Sequence, residues 1–174
     1  MKTIGIISDT HGLVRPEALE ALRGSDLILH AGDIGAPEVL ERLRLIADVA
    51  AIRGNNDRDG WARQIPDTLE VKLEGVGIYM IHNVSDLEID PAAAGYRAVI
   101  SGHSHMPSIA EKSGVMYLNP GSAGPRRFKL PIAVARLQID RGSVRAEIIS
   151  IDVSMAPKKS LTSPKPRHIK KSAF

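Results

Sequence analysis

Short apolar runs rich in β-branched residues recur at 3–7, 27–29, 49–52, 78–81 and 98–100. Strands buried on both faces read this way. Helical patterns separate the early runs. Residues 16–22 open with Pro16 and place Ala18, Leu19 and Leu22 on one face; residues 37–45 open with Pro37 and do the same with Val39, Leu40 and Leu43. This strand–helix alternation predicts an α/β fold with a largely parallel sheet in the first half. The second half changes period. Thr68–Leu73 alternates, and Gly75-Val76-Gly77 turns the chain into the run at 78–81. Residues 132–139 and 144–151 alternate on either side of an Asp140-Arg141-Gly142 turn. Antiparallel hairpins are expected there, forming a second sheet packed face to face with the first.

The pattern stops at Ser154, so residues 1–153 are expected to be the folding unit. Residues 154–174 carry Pro157, Pro164 and Pro166 among lysines and serines, and are expected to be a mobile basic tail. The charge divides at the same place. The chain has 23 basic and 20 acidic residues, net +3. Six of the basic ones lie in 154–174 with no acid, which leaves a body of −3 carrying a tail of +6. The overall basicity is therefore no argument for nucleic-acid binding by the folded part; only weak contact through the tail is allowed for. The absence of cysteine excludes disulfides, thiolate metal sites and cysteine nucleophiles. No apolar run approaches the ~20 residues of a membrane span, and the first one is too short for a signal peptide. A cytoplasmic protein is expected, and a homo-oligomer is left open.

Polar residues fall in a telling order. Each apolar run is followed by candidate metal ligands or glycines: Ser8-Asp9-Thr10-His11-Gly12, His30-Ala31-Gly32-Asp33, Arg53-Gly54-Asn55-Asn56-Asp57, His82-Asn83, and Ser101-Gly102-His103-Ser104-His105. Open α/β sheets bind ligands outside the carboxyl ends of their strands, so these segments are expected to converge. Asp9 and His11 are two apart, as are His103 and His105, which in extended backbone aims each pair one way. Oxygen and imidazole donors without sulfur suit manganese, iron, nickel, cobalt or zinc.

As a set, Asp9-x-His11, Gly32-Asp33, Gly54-Asn55, His82 and Gly102-His103-Ser104-His105 resemble the ordered motifs of the calcineurin-like metallophosphoesterases. Asn119-Pro120-Gly121-Ser122 and Pro125-Arg126 narrow the resemblance to the small YfcE-type phosphodiesterases over roughly residues 1–151. The resemblance implies a four-layer αββα sandwich of two packed mixed sheets. It implies two divalent ions, manganese foremost. One would be held by Asp9, His11, Asp33 and His105, the other by Asp33, Asn55, His82 and His103. Asp33 bridges them. A hydroxide between the ions would attack a small phosphodiester or phosphomonoester in line.

The sequence departs from that pattern twice. Asn56 stands where larger relatives have a histidine; an amide donates a hydrogen bond but is no general acid. Asn83 stands where glycine is common, and is expected to reshape the loop beside the second ion. Among the neighbours, His30 is read as support rather than ligand, and Asp57 as either a loop organiser or a turn residue. Trp61 is read as a packed anchor. Arg126 and Arg127 are read as a solvated pair rather than phosphate contacts. Ser122 is not a nucleophile, since no base is placed to activate it. The competing readings are a non-catalytic protein-interaction scaffold on the same fold, and a nuclease, for whose capping domains the chain has no room.

Overall fold

The computed structural model describes residues 1–153; the basic segment 154–174 lies outside the described residues, and with it the expectation of a mobile tail. The first half alternates as its pattern requires: β1 (Lys2–Ile7), α1 (Pro16–Ala21), β2 (Leu27–His30), α2 (Pro37–Arg44) and β3 (Asp48–Ala51). The order β1–β2–β3 is parallel throughout. Both helices start on a proline, whose missing N–H is spared in the first turn. In α2, Glu38 in the first turn and Arg42 and Arg44 in the last oppose the helix dipole favourably. Gly5 of β1 lets α1 approach closely, because a Cβ there would sit 2.7 Å from the Leu22 side chain.

The second sheet contains β4 (Thr68–Leu73), β5 (Val76–Ile81), β6 (Tyr96–Ile100), β7 (Ser108–Lys112) and β8 (Val115–Asn119), ordered β4-β5-β6-β8-β7. Its central strands β5, β6 and β8 run parallel, and antiparallel β4 and β7 flank them. The last hairpin, β9 (Ala133–Asp140) with β10 (Ser143–Ser150), does not join this sheet. It pairs antiparallel with the free edge of β1, giving the first sheet the order β10-β9-β1-β2-β3. The expectation of antiparallel hairpins forming the second sheet is therefore corrected: both sheets are mixed. The physical reason is the inner face. Ala135 and Leu137 of β9 pair with Ile6 and Ile4 of β1, and with Ile139 they continue the same apolar stripe.

Two packed faces explain the apolar runs. Between the sheets, Ile4, Ile6, Leu29 and Ile52 meet Ile78, Met80, Ile100 and Leu118. On the outer face of the first sheet, Ile7, Ile28 and Val134 lie under Ala18, Leu22, Val39 and Leu43 of the helices. Each fully buried isoleucine or leucine stabilises by about 1.5–3 kcal/mol. Trp61 packs on that outer cluster, as read from the sequence. Among the described residues α-helices cover only this side. Over the second sheet the fourth layer thins to a 3-10 turn at Val84–Asp86 and the loop after it, with Leu87 packed on Val99 and Val115. Among the described residues no helix is long and apolar enough to cross a membrane.

Candidate metal centre

β1, β2, β3, β5 and β6 end along one rim of the sandwich, and the loops leaving them carry the candidate ligands. Backbone hydrogen bonds tie these loops together. Asp9 N–H donates to Gly32 O at 3.0 Å, His11 N–H to Asp33 O at 2.9 Å, and Gly102 N–H to His82 O at 2.9 Å. Asp9, His11, Asp33, His103 and His105 all adopt positive φ, between 47° and 66°. The extended conformation expected for the Asp9–His11 and His103–His105 pairs is thus corrected. Each pair is wound left-handed, a conformation that concentrates at functional sites.

The side chains converge as two overlapping groups, Asp9–His11–His105 and Asp9–Asp33–His82, with ligand atoms within 4.8 Å of one another in each. Asp33 faces both sides: Oδ1 lies 3.6 Å from His82 Nε2, and Oδ2 lies 3.8 Å from His11 Nε2. His103 adjoins the second group; its ring centroid is 5.3 Å from that of His82, and its Nδ1–H donates to Asn55 Oδ1 at 3.1 Å. All seven candidate ligands therefore meet on one rim.

The donor set fits divalent cations on its own evidence. Asp9 Oδ1 and His82 Nε2 are buried and have no hydrogen-bond partner among the described residues, and His105 turns Nε2 toward that same Asp9 oxygen at 3.2 Å. An orphaned buried donor or acceptor costs ~1–3 kcal/mol. His82 shows the purpose most clearly. Its Nδ1 lies 2.7 Å from the Ala31 carbonyl, which only accepts, so the proton is on Nδ1 and Nε2 presents a bare lone pair. Burial pushes the Asp9 carboxyl above its ordinary range, a state a bound cation would reverse. Burial also acts on Asp33, but the His82 imidazole beside it and hydrogen bonds from the Asn56 backbone and side chain outweigh it and hold that carboxyl far below the usual range. His82 is raised: burial opposes its protonation, while Asp33, the Ala31 carbonyl and Asp9 outweigh that cost. Burial lowers His105.

A layer behind the ligands holds them. Asn56 N–H donates to Asp33 Oδ1 at 2.9 Å and its amide nitrogen to Oδ2 at 2.6 Å. Asp57 is a loop organiser, not a simple turn residue: its carboxylate accepts from Ile34, Gly35 and Gly54 N–H at 2.8–3.0 Å, clamping the Asp33 loop to the Asn55 loop. His30 is fully buried and is no ligand. Its Nδ1 accepts from Gly32 N–H at 3.3 Å, so Nε2–H donates to Thr10 Oγ1 at 2.9 Å, and Thr10 donates to Ile34 O at 2.9 Å. Ser122 donates to Asp9 O at 2.9 Å and is spent on structure. Arg127 reaches His11, with Nη2 3.5 Å from Nε2, so it is not merely a solvated partner of Arg126.

Sequence reasoning used Asn119 only as part of the Asn119–Ser122 motif and gave it no role. This buried amide donates to Gly102 O at 2.6 Å and Ser104 Oγ at 3.1 Å, setting the His103–His105 loop. The signal was its place at the end of β8, a strand that was itself missed. It also missed Gly124, whose lack of a side chain lets the chain pass against the carbonyls of Asp9 and Thr10.

A probable metallophosphoesterase of Methanothermobacter thermautotrophicus is 37% identical over 158 residues, covering 84% of this chain and 91% of the relative. A solved archaeal phosphodiesterase is 25% identical with a TM-score of 0.70, covering 84% of this chain and 99% of its own. Two more distant structures share the fold. YfcE, a phosphoesterase from E. coli, has a TM-score of 0.63 at 22% identity, covering 86% and 100% of the two chains. Vps29 of Chaetomium thermophilum has a TM-score of 0.69 at 16% identity, covering 87% and 97%. The calcineurin-like phosphoesterase superfamily domain matches residues 1–142, so the chain belongs to this superfamily.

Proposed function

We propose that the protein is a metal-dependent phosphodiesterase with a dinuclear centre. The observation that carries this reading is the pair of buried, unpartnered ligand atoms on Asp9 and His82, with His105 Nε2 3.2 Å from Asp9, around a shared Asp33. One ion is assigned to Asp9, His11, Asp33 and His105, the other to Asp33, Asn55, His82 and His103. Manganese is the first choice, with nickel, iron, cobalt or zinc compatible with the same donors. When bound, two such ions supply Lewis acidity toward a phosphoryl group and a nucleophile at neutral pH. The chain's own residues do the positioning. Ala31 O fixes the tautomer of His82. Asn56 steadies Asp33 with one amide hydrogen and keeps the other for a leaving oxygen. Arg127, beside His11, is placed to meet a non-bridging phosphate oxygen.

The test is hydrolysis of bis-p-nitrophenyl phosphate and p-nitrophenyl phosphate with manganese, nickel, zinc or chelator. Metal-dependent turnover, faster on the diester, is expected; none with any metal overturns the reading. Elemental analysis of Asp33→Ala gives an independent readout. Loss of both ions is expected, and retention of two refutes the bridging assignment.

A second reading, a protein-interaction scaffold, is favoured by one observation. A cleft of about 580 Å³ on the outer face of the second sheet is lined by Leu87, Ile89, Pro91 and Tyr117 and by none of the candidate ligands. The retention of a competent donor at all seven ligand positions favours the esterase.

A further inference from the structure

A second cleft, of about 640 Å³, opens directly on the centre, with Asn55, His82 and His103 forming its inner edge. Its far wall is Arg53, Asp67, Thr68 and Asp86. That volume suits a small organic group.

The charge of the wall is specific. Arg53 is held bidentate by Asp67, Nε to Oδ1 and Nη2 to Oδ2, the latter at 2.8 Å, so the two cancel. Asp86 has no ion-pair partner among the described residues, which leaves the cleft at −1. Asp86 arrives there because Asn83 caps the 3-10 turn at Val84–Asp86, its Oδ1 accepting from Ser85 N–H at 3.1 Å. The asparagine that departs from the motif pattern is thus the residue that builds the wall. On the opposite side of the centre the sign reverses, with Arg127 beside His11.

We propose that this cleft seats the second alcohol of a phosphodiester, and that the alcohol is uncharged or cationic. The inference rests on the esterase reading and deepens it. The phosphate lies between Arg127 and the second ion's ligands, and the organic group extends past His103 toward Thr68 and Asp86. At the far wall a second anionic group meets the Asp86 carboxylate and, among the described residues lining the cleft, no Lys or Arg outside the Arg53–Asp67 pair, so nucleoside polyphosphates and phosphorylated sugars are poor substrates.

Two variants test it. Thr68→Trp fills the cleft from an exposed strand position. It is expected to lower the diester-to-monoester ratio of kcat/KM, measured with the two p-nitrophenyl esters, about fivefold. An unchanged ratio overturns the proposal. Asp86→Lys is expected to raise KM for p-nitrophenyl phosphorylcholine about tenfold relative to bis-p-nitrophenyl phosphate, and equal effects on both overturn the charge assignment. Amide chemical-shift mapping of the zinc-loaded protein with a non-hydrolysable phosphonate analogue of p-nitrophenyl phosphorylcholine reads occupancy without turnover. Shifts concentrated at Thr68, Asn83 and Asp86 support the cleft, and shifts confined elsewhere overturn it. If the wild type hydrolyses neither ester, the esterase reading fails and the mapping alone decides the cleft.

Discussion

His30 shows what a histidine does on this rim when it is not a ligand. Its ring nitrogens are both used, and full burial pushes its pKa down to about 3, with the neighbouring His82 adding to the effect and Asp33 opposing it. Below its ordinary value of 6.5 the unfolded chain therefore binds a proton that the native protein refuses. The stability contributed by neutral His30 is present above that pH and is lost as pH falls toward 3. Urea unfolding of the metal-free protein is expected to lose about 1 kcal/mol per pH unit more in the wild type than in His30→Gln between about pH 6 and 4. Parallel slopes would refute it. His82 acts in the other direction. Its raised value gives stability that is present below 6.5 and lost as pH rises through its folded pKa, so the two windows separate. At this scale residue types were legible and conformations were not. Asp9, His11, His103 and His105 could be named as donors from spacing after apolar runs, but the left-handed backbone that aims them is set by hydrogen bonds to loops distant in sequence.

The strand-to-loop junction is the element that makes the centre, and its glycines are where it is most easily broken. A Cβ at Gly54 would collide with the Asp33 carboxylate and backbone N–H, whereas the sheets behind it have no part in the clash. Gly54→Ala is therefore expected to lower metal affinity about 10–100-fold while far-UV circular dichroism stays native. A variant that keeps wild-type affinity would show that Asp33 has room to move. The same scale explains which elements could be read. β1, β2, β5 and β6 are buried on both faces or nearly so, and their runs stand out. β7 is exposed at all five positions, and Ser-Ile-Ala-Glu-Lys carries no face to recognise. β8 follows it with no helical spacer, so the hairpin was passed over. The pairing of β9 with β1 joins residues more than 130 apart, such as Ile4 and Leu137, and local alternation says nothing about such a partner.

At the scale of the whole molecule, residues 1–153 hold both sheets, the three apolar clusters and every candidate ligand. Ile151 and Val153 still pack on the outer cluster, so the folded unit extends at least that far. Truncation after Val153 is expected to leave kcat/KM for small esters within about twofold and the melting temperature unchanged. A large loss would assign residues 154–174 a place on the centre. The net −3 of the body is no bar to an anionic substrate, because Asp9 and Asp33 are negative only until they face cations. The wound backbone of the rim has a consequence over longer times. Five candidate ligands sit at φ between 47° and 66°, where an L-residue costs roughly 1 kcal/mol more than glycine. Swapping His11, His103 or His105 for glycine would therefore relax the chain as it destroys the chemistry. Left to mutational drift, this shell would shed its reaction first and grow sturdier in doing so, and only continued demand for hydrolysis keeps the histidines in place.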